Sequence, residues 1–219
     1  MHRPDGLVAG ARLGLAVVEM STIPVAVKQE CRDTLVERGA ELLDAPISGM
    51  PSMVAARAAT IFASGDEATF RQVRDVLEAV TPRVHLLGAF GAGSTTKFVA
   101  HLLLALHNLA AAEALGLARR AGMDLEPLLE VLTGTIAHSA VLVARGPMMI
   151  SGRFRPAPGP VDTLMEGLEQ VDEFARDAEG VHPAAGSRHA PLRRRPPRGA
   201  RRRRHRRDDR PPRWPRSDG

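Results

Sequence analysis

A chain of 219 residues with 44% hydrophobic content is long enough for one domain, or two small ones, around a packed core. Its formal charge of +5 averages two unlike pieces: residues 186–219 hold 14 arginines and three aspartates, while the preceding 185 residues hold 16 basic and 22 acidic residues. Nothing in the mildly acidic body suggests a nucleic-acid surface, and the single cysteine, Cys31, excludes an internal disulfide or a Cys-based zinc cluster and fits a reducing cytoplasm.

The first twenty residues contain no clean signal sequence, because Arg12 interrupts the apolar run and an acidic residue precedes it. "LAVVEM" (15–20) reads as a strand ended by the turn "STIP". Residues 25–40 have helical spacing at Val27, Cys31, Leu35 and Val36, with Gly39 as the stop. "ELLDAPISG" is a second strand running into a glycine turn, and "AATIFASG" (58–65) is a third. A helix follows with the stripe Phe70, Val73, Val76, Leu77 and Val80, and then a fourth strand at 84–88. Beyond residue 94 only helices are expected: 95–121, 125–133, around 136–150, and 161–179.

This order predicts an α/β part followed by an all-α part, with a partial Rossmann-type sheet over residues 1–93 and a helical domain over 94–185. The four strands are expected in one sheet fragment with an exposed edge, which invites association. Residues 98–118 lack Lys and Arg over about a bilayer's thickness of helix, but His101, His107, Asn108 and Glu113 argue for a buried core helix and no membrane span. Residues 186–219 have too few apolar side chains to fold and read as a disordered Arg/Pro-rich tail. A basic arm for nucleic acid is one reading. The abrupt change in composition favours the other, a GC-rich gene read out of frame.

The turn "GAFGAG" (88–93) resembles a phosphate loop, but its order is G-x-x-G-x-G and no strand follows the next helix, so it is rejected as a dinucleotide fingerprint. Just beyond it stands Lys97, one of only two lysines beside 28 arginines; the other is Lys28. A lysine in the first turn opposes the helix dipole. Half-buried at the head of an apolar helix, it is expected to have a lowered pKa suited to proton transfer near neutrality. His101, at i+4, shares its face. No metal-ligand set is expected.

"STI" after one strand, "DAPISG" after the next and "GAGSTTKFVAH" opening a long helix together resemble the β-hydroxyacid dehydrogenase family over residues 6 to about 185. That family includes 3-hydroxyisobutyrate dehydrogenase and enzymes acting on tartronate, glyoxylate and succinate semialdehydes. The resemblance implies NAD- or NADP-dependent hydride transfer between a small 3-hydroxy acid and its semialdehyde, by a cytoplasmic homo-oligomer. It makes Lys97 the catalytic proton carrier and gives the substrate carboxylate to Ser48 and Gly49. Ser21 and Thr22 would approach nicotinamide and substrate, and His101 would contact substrate.

Three departures from the family pattern stand out: His101 replaces asparagine, Met50 a glycine, and Glu166-Gly167 a Lys-Asp pair. The family's leading G-x-G-x-x-G turn has no counterpart, so the expectation is a chain lacking the dinucleotide-binding half, with impaired activity. The alternative is a non-catalytic dimerisation protein derived from the same family. Lys97, Ser48 and Ser21 are expected around one cleft, with Lys97 Nζ within about 10 Å of the Ser48 hydroxyl.

Overall fold

The structure is a computed structural model that describes residues 6–155, 159 and 161–177. The expected tail at 186–219 lies outside the described residues. After a short 3-10 turn at Leu7–Gly10, the α/β part runs β1 (Ala16–Glu19), α1 (Val25–Val36), β2 (Glu41–Asp44), β3 (Ile47–Ser48), α2 (Pro51–Ala55), β4 (Thr60–Ala63), α3 (Glu67–Val80) and β5 (Val84–Leu86). The helical part comprises α4 (Ala92–Arg120), α5 (Leu125–Thr133), α6 (Ala140–Ser151) and α7 (Val161–Asp177). An α/β Rossmann-like part followed by helices is therefore the observed architecture.

The strand layer is divided where one sheet was expected. β1 pairs in parallel with β2, while β3, β4 and β5 form a second sheet in which β3 is antiparallel to β4 and β4 parallel to β5. The break falls inside "ELLDAPISG", because Pro46 has no N–H with which to continue a ladder. A single bridge between Asp44 and Ser64 joins the two sheets, with hydrogen bonds of 3.1 and 2.7 Å.

Two helices bury most or half of the stripe expected of them and leave the remainder exposed. On α1, Leu35 is buried, but Val27 and Val36 are exposed, and Lys28 is buried completely. An ammonium holds an inward position there only because carboxylates meet it, as described below. On α3, Phe70 and Leu77 are buried with Val73 and Val80 packed beside them, while Val76 is exposed. Val76 lies about 100° around the helix from Leu77, off the 3–4–3 spacing of the others. Asp66 caps α3 by accepting a hydrogen bond from the Thr69 N–H at 2.7 Å.

α4 is the core helix of the helical part, yet its first turn packs against β2 and β4. Ala111 and Leu115 form a cluster with Leu142 of α6, and Phe98 stacks on Phe174 of α7 at 5.4 Å between ring centroids. Val99, Leu103, Leu106 and Leu117 remain exposed along another face. Gly91 starts the helix at φ +93°, and a Cβ on Gly93 would stand 2.1 Å from the Phe62 carbonyl oxygen. The glycine-rich turn thus permits backbone contact between helix and strand. Gly93→Ala is expected to destabilise the fold by at least about 3 kcal/mol, measured by urea unfolding. A loss below about 1 kcal/mol would show that the helix can lift off the strand at little cost.

Candidate active site

Both lysines of this arginine-rich chain are buried, and they organise the joint between the two parts. Lys28 points from α1 under the ends of β1 and β2. Its ammonium donates to Asp44 Oδ1 at 2.8 Å and to the Ser21 carbonyl at 2.7 Å, and lies 2.6 Å from Glu19 Oε2. The Glu19 contact is off the angle of a hydrogen bond and acts as an ion pair. Burial alone would raise the Glu19 carboxyl, but Lys28 and Ser21 outweigh it, and the net displacement is downward from 4.5.

Asp44 is completely buried and fully used. Oδ1 also accepts from the Ser94 hydroxyl at 2.7 Å, and Oδ2 accepts from the Ser94 N–H at 2.8 Å and the Ser64 hydroxyl at 3.0 Å. Ser64 Oγ in turn accepts from the Gly93 N–H at 2.9 Å. Two amides of the first turn of α4 are thereby satisfied, and a carboxylate faces the positive end of the helix. These two amides, Gly93 at the end of "GAFGAG" and Ser94 just beyond it, are unavailable to a phosphate group.

Lys97 follows Ser94 by three residues, so anchoring Ser94 orients it. Its ammonium donates to the Ile47 carbonyl at 2.8 Å, and the residue is only 8% exposed. Among the described residues no ion pair includes it, and burial lowers its pKa from 10.5. Ile47 precedes Ser48, and summed bond lengths from that carbonyl keep the Ser48 hydroxyl within about 10 Å of Nζ. Gly49 is held close to β4, where a Cβ would come 2.8 Å from the Ala59 methyl. Lys97, Ser48 and Gly49 therefore stand together. Ser21 is exposed and Thr22 half-buried at the carboxyl end of β1. A chain of contacts, Ser21–Lys28–Asp44–Ser94, links the end of β1 to the helical turn that carries Lys97. His101, one turn beyond Lys97, packs against α7 at Gly167, where a Cβ would lie 2.5 Å from its ring. Burial and the Lys97 charge push its imidazole down to about 4.

Glu19, Lys28, Asp44, Ser64 and Ser94 were not singled out from sequence. Lys28 had a signal, as the other lysine of a chain that otherwise uses arginine. Elsewhere, a groove lined by Arg119, Met123, Asp124 and Ile150 lies at the far end of α4 and holds no candidate residue. Among the described residues, no cluster of three His, Cys, Asp or Glu side chains could hold a metal ion.

An open α/β layer of this kind takes its ligands beyond the carboxyl ends of its strands, where the helical part and the buried Lys97 meet it. Residues 1–88 match the family model for the NAD-binding domain of 6-phosphogluconate dehydrogenase, and residues 91–188 match that described as NAD-binding of NADP-dependent 3-hydroxyisobutyrate dehydrogenase. Similar proteins include the L-threonate dehydrogenase of Cupriavidus necator, 32% identical over 84% of this chain and 62% of the relative. That of Escherichia coli K12 is 35% identical over 85% and 59%. The solved 3-hydroxyisobutyrate dehydrogenase of Salmonella typhimurium superposes with a TM-score of 0.73 at 35% identity, covering 84% of this chain and 64% of the other. The chain belongs to the β-hydroxyacid dehydrogenase family, among its 3-hydroxyisobutyrate and L-threonate dehydrogenase-like members.

The chain spans 62% and 59% of the lengths of these two curated relatives. Because both the NAD-binding and the C-terminal domain are represented, the expected lack of a dinucleotide-binding half is not supported. NAD(P) is the cofactor class of both matched domains. At the carboxyl end of β1, Ser21 is exposed and Thr22 half-buried, so a bound group has access there, whereas β2 ends on the buried Asp44; the first turn of α4 does not fit a pyrophosphate, since its Gly93 and Ser94 amides are taken.

Lys28→Met would leave two carboxylates without their cation, and a loss of about 3 to 5 kcal/mol is expected in urea unfolding. Glu19 has a folded pKa below 4.5, so its contribution is present above 4.5 and is lost as pH falls through the folded value. Glu19→Gln should flatten the stability–pH curve on that acid side; an unchanged acid slope would remove Glu19 from the account.

Proposed function

We propose that this chain catalyses NAD(P)-dependent oxidation of a small 3-hydroxy acid to the corresponding carbonyl compound, a semialdehyde where the reacting hydroxyl is primary, and the reverse reduction. The observation that carries this reading is Lys97: desolvated, without a counter-charge, and seated beside the Ile47–Ser48 peptide. Burial without a carboxylate favours the neutral amine, the form that can take a proton.

In this reading the Ser48 hydroxyl and the Gly49 N–H hold the substrate carboxylate, which fixes the distance to the reacting hydroxyl. Lys97 Nζ accepts the hydroxyl proton as the carbon–oxygen double bond forms and a hydride leaves the same carbon. NAD(P)+ supplies the hydride acceptor when bound. Ser21 and Thr22, at the end of β1, orient that face of the substrate. In the reverse direction the Lys97 ammonium returns its proton to the carbonyl oxygen. Its hydrogen bond to the Ile47 carbonyl holds the charged amine beside Ser48.

A homo-oligomer working in the cytoplasm belongs to the same proposal. Val99, Leu103 and Leu106 fall within about 60° on α4, and all three are exposed. A second copy of the chain would cover this stripe, as contiguous apolar surface on a soluble protein favours.

With NAD+ or NADP+, and L-threonate or 3-hydroxyisobutyrate as substrate, turnover of about 1 to 1000 per second is expected. Lys97→Met should lower kcat by about 10²- to 10⁴-fold. In the unmutated chain kcat/KM should rise with pH as Lys97 loses its proton, with a midpoint below 10.5, while His101, held at about 4, adds no step near neutrality. Absence of turnover with all four pairings, or full activity in Lys97→Met, would overturn the proposal.

A further inference from the structure

His101 and Gly167 come from different helices, yet the ring of one fills the space that a side chain on the other would occupy. A Cβ at position 167 would lie 2.5 Å from both Nδ1 and Cε1 of His101 and 3.3 Å from Cγ, so no residue larger than glycine fits unless the imidazole moves. The ring is half-buried one turn beyond Lys97, and its Nδ1 is sealed from solvent with no hydrogen-bond partner among the described residues. A buried N–H with no acceptor is the more costly state for that nitrogen, so Nδ1 carries the lone pair and Nε2 the proton. Burial, and after it the Lys97 charge, keep the ring neutral. On the same helix face as Lys97 there is therefore a neutral N–H donor whose position is set by the missing side chain of Gly167.

We propose that Gly167 is a specificity-determining positioning residue: by seating the His101 imidazole beside Lys97 it builds a subsite for a hydroxyl on the substrate chain, so that a polyhydroxylated acid is preferred to one bearing a methyl branch. This rests on the reading of the Lys97 cleft as a hydroxy-acid site. A neutral imidazole suits a hydroxyl, which can accept from Nε2–H without bringing a second negative charge. A methyl group in the same place would leave that N–H desolvated and unpaired, and a site built around a hydrogen bond discriminates against the analogue that lacks it.

The test uses the full chain with 15N-labelled histidine, assigning His101 among the eight histidines as the signal lost in His101→Asn. The probes are L-threonate and 3-hydroxyisobutyrate. In the unmutated chain the His101 shifts should report the Nε2–H tautomer. L-threonate should displace them and bind about tenfold more tightly, the gain from one neutral hydrogen bond. His101→Asn should narrow that preference to about twofold or less. Gly167→Ala should move the His101 signals toward those of a solvent-exposed imidazole and abolish the preference, and adding His101→Asn to it should restore thermal stability by relieving the clash. Unmoved His101 signals and an intact preference in Gly167→Ala would overturn the proposal, as would a preference that survives His101→Asn; the latter variant decides the matter should Gly167→Ala not fold. Equal binding of both acids by the unmutated chain also overturns it. Binding of neither acid instead contradicts the reading of the cleft itself, a distinct result.

Discussion

Asp44 holds a carboxylate away from water because four donors converge on it: the Lys28 ammonium, the Ser64 hydroxyl, and both the hydroxyl and the amide of Ser94. A carboxylate that lost one of these would remain buried with an unmet lone pair, so the four elements that supply and carry the network cannot be moved independently. Those elements are α1, β2, the end of β4 and the start of α4. The carboxylate also faces the positive end of a 29-residue helix. The placement of the helical part on the α/β layer follows from this one group, with Gly93 permitting the backbone contact that brings Ser94 within reach.

The two lysines then have opposite environments. Lys28 meets two carboxylates and a carbonyl, which makes its charge part of the frame. Lys97, on the helix that the frame holds, meets only the Ile47 carbonyl among the described residues. Desolvation without a counter-ion favours the neutral amine, and it is tolerated because the Asp44 network supplies the rigidity elsewhere. A side chain that must exchange a proton gains from being fixed by groups that do not titrate with it.

The α/β-then-helical order was legible because each element carries its own local signal. "LAVVEM" and "AATIFASG" show strand chemistry, and Phe70, Val73, Leu77 and Val80 show helical spacing. The division of the strand layer was less visible, since "ELLDAPISG" reads as continuous until the ladder is traced to Pro46. On α1, apolar spacing pointed to Val27 and Val36, but the inward place belongs to Lys28, because spacing arguments count apolar residues and are blind to a charge with two distant partners. Glu19 and Asp44 lie nine and sixteen residues from Lys28 along the chain, and only folding brings them together. Lys97, Ser48 and Gly49 were legible as an ordered set of motifs, whereas the contact between His101 and Gly167 spans two helices far apart in sequence and leaves no local trace.

With only two lysines in the chain, lysine labelled with 13C at the ε-carbon gives two side-chain signals, and Lys97→Met identifies which is which. Titrated in the folded protein, Lys97 is predicted to lose its proton at a pH below the ordinary 10.5, because it is buried without a counter-charge. A midpoint at or above 10.5 would contradict the account, since it would place the amine in water or beside a carboxylate and leave no basis for Lys97 as the proton carrier.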